Sequence, residues 1–177
     1  VTKLLDAVAG RRSWSRVTAD APTHEELLPL VAASARVADH SALRPWRLIE
    51  LRGGAREKLG AAIAKAEGDR HPSTKPLRAS LLIAIVVSVK KSSKVPAWEQ
   101  EAVASGVAHM LSLLLSDAGW GVFWRTGSYT RSKPVRKMHK LAKNEQLLGW
   151  LYVGGVPPDA RPGHRKIVDA ESFISVL

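Results

Sequence analysis

One run in this chain of 177 residues restricts the fold more than any other: Ser80 to Val89, rich in isoleucine and valine, is apolar at both alternating positions. A strand with no polar side has no face to give to water, so it belongs inside a sheet covered on both faces. Its apolar stretch, Leu81 to Val87, is far shorter than the roughly 20 residues a bilayer-spanning helix needs. Further strand signals lie at Trp46–Leu51, Trp120–Trp124 and Leu148–Val153, the last stopped by Gly154-Gly155 and Pro157-Pro158.

Helical patterns alternate with these strands. Thr2–Gly10 is short and amphipathic, with Leu4, Leu5 and Val8 on one side. Thr23 and Glu26 form a capping-box pattern, so a helix is predicted over His24–Asp39 with Leu27, Leu30, Val31 and Ala35 inward. Ala55–Glu67 follows the Gly53-Gly54 turn, and Gly68–Pro76 is a polar loop without periodicity. Ser132 is placed to cap a basic helix, with Pro134 tolerated in its first turn.

The longest helix is predicted over Ala97–Ala118, with Gly119 as a left-handed cap. Helical spacing puts Val103, Val107, Leu111, Leu114 and Ala118 on one face, and Glu101, Ser105, His109, Ser112 and Ser116 on the opposite one. Ala102, Gly106 and Leu113 widen the apolar surface to leave a narrow polar seam. Such a helix is either central to a fold or packed against another copy of itself. The tail, Asp169–Leu177, carries Phe173, Ile174, Val176 and Leu177, and an apolar tail is expected to dock.

A chain of this length is one domain, 1–177, by size alone, and large enough to bury a core without staples. The absence of cysteine excludes disulfides, thiolate metal sites and a cysteine nucleophile. The sequence opens, at Val1 and without an initiator methionine, on a polar, helix-compatible segment rather than a signal-peptide pattern, and a cytoplasmic protein is the simplest expectation. The net charge of +11 admits a nucleic-acid-binding module. The basic residues come in scattered pairs such as Lys90-Lys91 and Arg136-Lys137, however, which suits the holding of an anionic cofactor equally well.

Two segments carry chemistry. Arg11-Arg12-Ser13-Trp14-Ser15-Arg16 and Trp124-Arg125-Thr126-Gly127 each set guanidinium groups beside small hydroxyls. A guanidinium is a planar fork of permanent donors, suited to phosphate oxygens. Brought together by the fold they form a phosphate pocket; apart they are solvated basic turns. Arg36 and His40 stand one helical turn apart at the end of the second predicted helix, as a cap or as a polar edge for a flat ligand. His24, His71, His139 and His164 sit in polar surroundings and are expected in solvent, and His109 lies on the polar seam of the long helix. Glycine-rich nucleotide loops, paired metal-binding histidines and nucleophile elbows are all missing.

The order of segments is more specific than any of them alone. Arg-Arg-Ser, a capped helix, Arg-x-x-x-His, Pro45-Trp46, Val95-Pro96-Ala97-Trp98-Glu99-Gln100-Glu101, Gly-x-Gly-x-x-Trp-Arg-Thr-Gly and Leu-Gly-Trp-Leu-Tyr-Val-Gly follow one another from Leu4 to about Pro157. This series resembles the flavin-dependent nitroreductase family, in particular its small single-domain branch of candidate NAD(P)H nitroreductases. The resemblance implies an α+β fold with a central, mainly antiparallel sheet flanked by helices, in an intertwined homodimer with one FMN at each end of the interface. It further implies that Arg11, Arg12 and Ser13 contact the flavin phosphate and ribityl chain. Trp124, Arg125 and Thr126 would close the same site, and Arg36 and His40 would reach FMN from the partner subunit. NADH or NADPH would reduce FMN, and the flavin would reduce a nitroaromatic, quinone or similar acceptor in ping-pong order, with no side-chain nucleophile.

One departure stands out. The family's common Asn-x-Gln-Pro-Trp reads Ala42-Leu43-Arg44-Pro45-Trp46 here, replacing two amides and adding a cation. Arg44 and His40 are therefore the candidates for tuning the flavin. A flavin-binding or storage protein of the same fold, with little turnover, and a basic nucleic-acid module remain the alternatives.

Overall fold

The computed structural model describes residues 3–161 and 167–177. Four strands, β1 (Trp46–Leu51), β2 (Leu81–Ser88), β3 (Trp120–Arg125) and β4 (Glu145–Gly155), form an antiparallel sheet in the order β1-β2-β4-β3. β2 is an inner strand and all of its residues are buried, as its two-sided apolar pattern requires. Its alternate side chains serve two cores. Leu82, Ala84 and Val86 pack with Trp150 and Tyr152 of β4 against Leu59 and Ile63 of α3 (Gly54–Glu67) and Val135 of α5 (Lys133–Met138). Leu81, Ile83 and Ile85 face the other way, joining Leu27 of α2 (His24–Ser34) and Ala108, Leu111 and Leu115 of α4 (Ala97–Asp117). The result is a sheet between two helical layers, an α+β arrangement.

Several local signals act as expected. Thr23 accepts from the Glu26 amide while the Glu26 carboxylate accepts from the Thr23 amide, closing the capping box. Ser132 accepts from Val135 N to cap α5, and Gly119 takes its left-handed turn at φ 88°. α1 (Lys3–Gly10) forms too, but Leu4, Leu5 and Val8 are largely exposed.

Other expectations are corrected. The second helix stops at Ser34 rather than Asp39, leaving Ala35 exposed, because the buried Ser34 hydroxyl donates to Val31 O (2.8 Å) and Arg36 N turns back to Ala33 O (3.1 Å). Arg36 and His40 therefore share no helical face; His40 begins a separate 3-10 turn, His40–Ala42. Val103, Val107 and Leu111 of α4 are buried as expected, but the buried face rolls away from the expected one toward the end of the helix, where Ser112 is buried, Leu114 half-buried and Ala118 exposed. Gln100, near its start, is buried too, being 1% exposed. Its amide accepts from Lys90 N and donates to Lys90 O and Val95 O, closing the loop ahead of the helix.

His139 is buried, not in solvent: it accepts from Trp150 Nε1 (3.0 Å) and its Nδ1 meets Val135 O at 2.8 Å. His24 and His71 are exposed as expected, and His164 lies outside the described residues. Phe173, Ile174, Val176 and Leu177 are all exposed, so the tail does not bury its apolar residues among the described residues of its own chain. β4 begins at Glu145, earlier than its apolar pattern suggests, because the Glu145 carboxylate finds Arg47 and Ser88 on the neighbouring strands.

Candidate functional site

The site starts from the edge strand β3 and the run that follows α1. Trp14 N donates to Val122 O (2.9 Å), Thr18 N to Gly155 O (2.8 Å), and Gly155 N to Asp20 O (3.0 Å). This run lies along the sheet so closely that a Cβ on Gly154 would stand 2.6 Å from Thr18 O. The main chain thus ties the Arg11-Arg12-Ser13 segment to the same edge that ends in Trp124-Arg125-Thr126. Arg11 and Arg12 are half-buried, Ser13 is exposed, and Arg16 is ion-paired with Asp159 at 2.7 Å.

Strand alternation sends the side chains of the second segment to opposite faces. Trp124 packs on the α4 side, edge-on to His109 with ring centroids 4.9 Å apart. Arg125 lies on the α3 side, its guanidinium 4.2 Å from the Phe123 ring and 5.2 Å from the Tyr152 ring. A pocket of about 330 Å³ opens there, lined by Lys75, Arg78, Phe123, Trp124, Arg125, Thr126, Tyr129 and Tyr152. Its charged lining is entirely cationic. Lys75 Nζ sits 5.6 Å over the Tyr129 ring and 3.4 Å from Glu67, outside the pocket wall. Burial, reinforced by Tyr129, pushes the Tyr152 hydroxyl up to about 12, so it stays a neutral donor.

Two buried donors at this place, Arg125 Nε and Trp124 Nε1, have no hydrogen-bond partner. Arg125 Nε, beside a cationic pocket with aromatic walls, fits a planar, acceptor-rich anionic group such as the FMN expected from the resemblance. Lys75 and Arg78 escaped the sequence reading. They end an unpatterned loop, and only the 3-10 turn Lys75–Arg78 brings them beside β3.

The second group of expected residues stands apart. Arg36 and Arg44 are exposed, and His40 Nδ1 lies 3.2 Å from Glu99 Oε2. His40 borders a cavity of about 430 Å³ with Val37, Ala38, Val95, Trp98, Glu99, Ala102, Val103 and Gly106, which shares no lining residue with the Arg125 pocket. Trp98, 71% exposed at the start of α4, is a large aromatic at this mouth; it lies in one of the motifs of the resemblance, which gave it no role of its own. Among the described residues no group of three or more histidine and carboxylate side chains is placed to hold a metal ion. No described helix is long and apolar enough to cross a membrane.

The decisive comparison is with the Nitroreductase family, whose model matches residues 8–155. This chain belongs to that family. A relative from Escherichia coli K12, YdjA, a candidate NAD(P)H nitroreductase by name, is 33% identical over 158 residues, 85% of this chain and 86% of its own. The crystal structure of a nitroreductase-like family protein from Bacillus cereus superimposes with a TM-score of 0.86 at 18% identity, covering 100% of this chain and 97% of its own. A Bacteroides fragilis nitroreductase with bound FMN gives 0.81 at 14% identity, covering 100% of both chains. At such identities these structures speak for the fold alone, and the nitroreductase fold is the one described above.

Proposed function

We propose that this nitroreductase family member is an FMN-dependent oxidoreductase that uses NADH or NADPH to reduce a nitroaromatic, quinone or similar acceptor. The observation that carries the reading is the aromatic-walled pocket at Trp124–Thr126, whose charged lining is cationic and whose Arg125 Nε is buried without a partner. Bound FMN supplies a two-electron centre at which the nicotinamide donor and the acceptor react in turn, in ping-pong order. The chain's own residues bind and orient it. Arg11, Arg12 and Ser13 hold the phosphate and ribityl end, and the Trp124–Thr126 segment closes the site. Lys75 and Arg78 supply positive potential from the facing turn, which favours whichever form of the ligand carries more negative charge.

Arg36 and His40 reach the cofactor from a second copy of the chain, and His40 and Arg44 tune it. Their separation from the Arg125 pocket within one chain supports this division, as do the exposed Leu4 and Val8 of α1 and the exposed apolar residues of the tail. All 177 residues then form one FMN-binding domain of a cytoplasmic homodimer.

The test is an absorbance spectrum after FMN addition and desalting, followed by anaerobic NADH or NADPH. Flavin bands that stay with the protein and bleach are expected. Bands that stay without bleaching turn the reading to flavin storage, and folded protein that retains no flavin refutes it.

A further inference from the structure

We propose that Gly149 is a positioning residue for the cofactor segment Trp124–Thr126, acting through the close approach that its missing side chain permits. The proposal rests on the reading that this segment holds FMN. It starts from an irregularity in the sheet. Ile85 stands opposite Gly149 and Val86 opposite Leu147, so Leu148 is an extra residue and β4 carries a bulge. Bulges bend a strand and re-aim its neighbours, and they concentrate near functional sites. Gly149 follows the extra residue at φ 141°, a backbone conformation that side-chain-bearing residues rarely adopt.

What makes Gly149 specific is the set of atoms it faces. A Cβ placed there would lie 2.5 Å from Arg125 O, 2.7 Å from Trp124 Nε1 and 3.0 Å from Thr126 Cγ2. These nearest neighbours are the three residues of the cofactor segment. Arg125 O is main chain and cannot swing aside as a side-chain tip does. Arg125 also forms the last pair of the β3–β4 ladder, with Trp150, so Thr126 leaves the sheet directly over Gly149. Any side chain here pushes the end of β3 away from β4 at the point where the segment turns into the pocket. The Trp124 indole N–H, buried without a partner, is packed against the same glycine and would move with it.

The experiment compares Gly149→Ala with a core control, Leu59→Ala, a cavity in α3 whose side chain is fully buried and lines no candidate pocket. Gly149→Ala is expected to raise the FMN dissociation constant by about tenfold or more and to shift the visible spectrum of the flavin that remains, because cofactor sites tolerate little displacement of their supporting shell. Leu59→Ala should lower the melting temperature comparably while leaving the bound-flavin spectrum in place. In the FMN-free proteins, the Trp124 indole N–H resonance should move in Gly149→Ala and stay in Leu59→Ala.

If Gly149→Ala does not fold, the same comparison is made between Trp124→Phe and Trp124→Phe with Gly149→Ala, since phenylalanine relieves the contact with the indole nitrogen and leaves the closer one, with Arg125 O, to displace the segment. An unchanged FMN affinity and spectrum, or equal losses in the Leu59 control, overturns the proposal. A moved indole resonance in wild-type-like protein that binds no FMN in any form refutes the flavin reading instead, and with it the positioning role.

Discussion

Glu145 is the residue where chemistry and fold are most tightly coupled. Arg47 donates to both of its oxygens (2.7 and 2.8 Å), Ser88 Oγ donates at 2.6 Å and Ala142 N at 3.0 Å, joining β1, β2 and the start of β4. The Arg47 hydrogen bonds, helped by Ser88 and Ala142, hold the carboxyl down at about 2 against burial. A depressed folded value means that the unfolded chain binds the proton first as the pH falls. The stabilisation is therefore complete above about 4.5 and lost as the pH drops through that range toward about 2. Glu145→Gln should cost about 1–3 kcal/mol at neutral pH, discounted because Arg47 is partly in solvent. Urea midpoints of wild type and variant should converge as the pH falls from about 5 toward about 2, and a gap independent of pH would rule the ion pair out as the cause. None of this was legible locally, since a glutamate ahead of Gln146-Leu147 reads as a solvated strand end. His139 misled in the same way: its neighbours in sequence are polar, and only Trp150 and Val135 O make its burial tolerable. Burial holds its imidazolium down, so the neutral ring that accepts from Trp150 is the working form.

At the scale of elements, the connector between α2 and β1 is the part that sequence pattern described least. Ser41, Ala42 and Arg44 have φ of 63°, 49° and 47°, the left-handed region, which costs a residue with a Cβ about 1–2 kcal/mol. Asp39 holds the turn, with Arg44 N donating to its carboxylate (2.7 Å) and Ala42 N to its carbonyl (2.9 Å). Alanine gives no hint of such a conformation, whereas asparagine, which the family pattern places at this point, tolerates it. Ala42→Gly should thus raise stability by about 0.5–1 kcal/mol, since the strain it relieves exceeds the entropy it adds. A lower melting temperature in that variant would show the turn to be unstrained. Where the signals were strong and local, they worked: the capping box, the two-sided strand and the Ser132 cap all came directly from residue type and spacing. The face of α4 came through only in Val103, Val107 and Leu111, and the burial of Gln100 was missed because it serves the hydrogen bonds of a loop that the helix meets in space, which periodicity does not see. The approach of Lys75 and Arg78 to β3 escaped for the same reason.

At the scale of the whole molecule, the two groups of candidate residues raise one question: whether they act on one ligand. In a single chain Trp124, Arg125 and Thr126 line one pocket and His40 another, so a ligand shared by them requires His40 to come from another copy. A two-fold dimer does this with one contact used twice. Burying the exposed side chains of Leu4, Leu5, Phe173 and Ile174 would favour it by about 25 cal/mol for each Å² of apolar surface removed from water. Arg125→Ala and His40→Ala should each weaken FMN retention, the first by about 1.5–3 kcal/mol if charge-assisted bonds to the ligand are lost. Mixing the two variants under exchange conditions then separates the arrangements. If each site is built within one chain, every site in the mixture carries one lesion and no affinity returns. If each site is shared, a mixed dimer places both lesions in one site and leaves the other wild type, so a fraction of tight FMN binding reappears on mixing and grows as subunits exchange. Titration of the mixture that shows only the weak sites of its components would place Arg125 and His40 of each site on the same chain and refute the reach of His40 from a second copy.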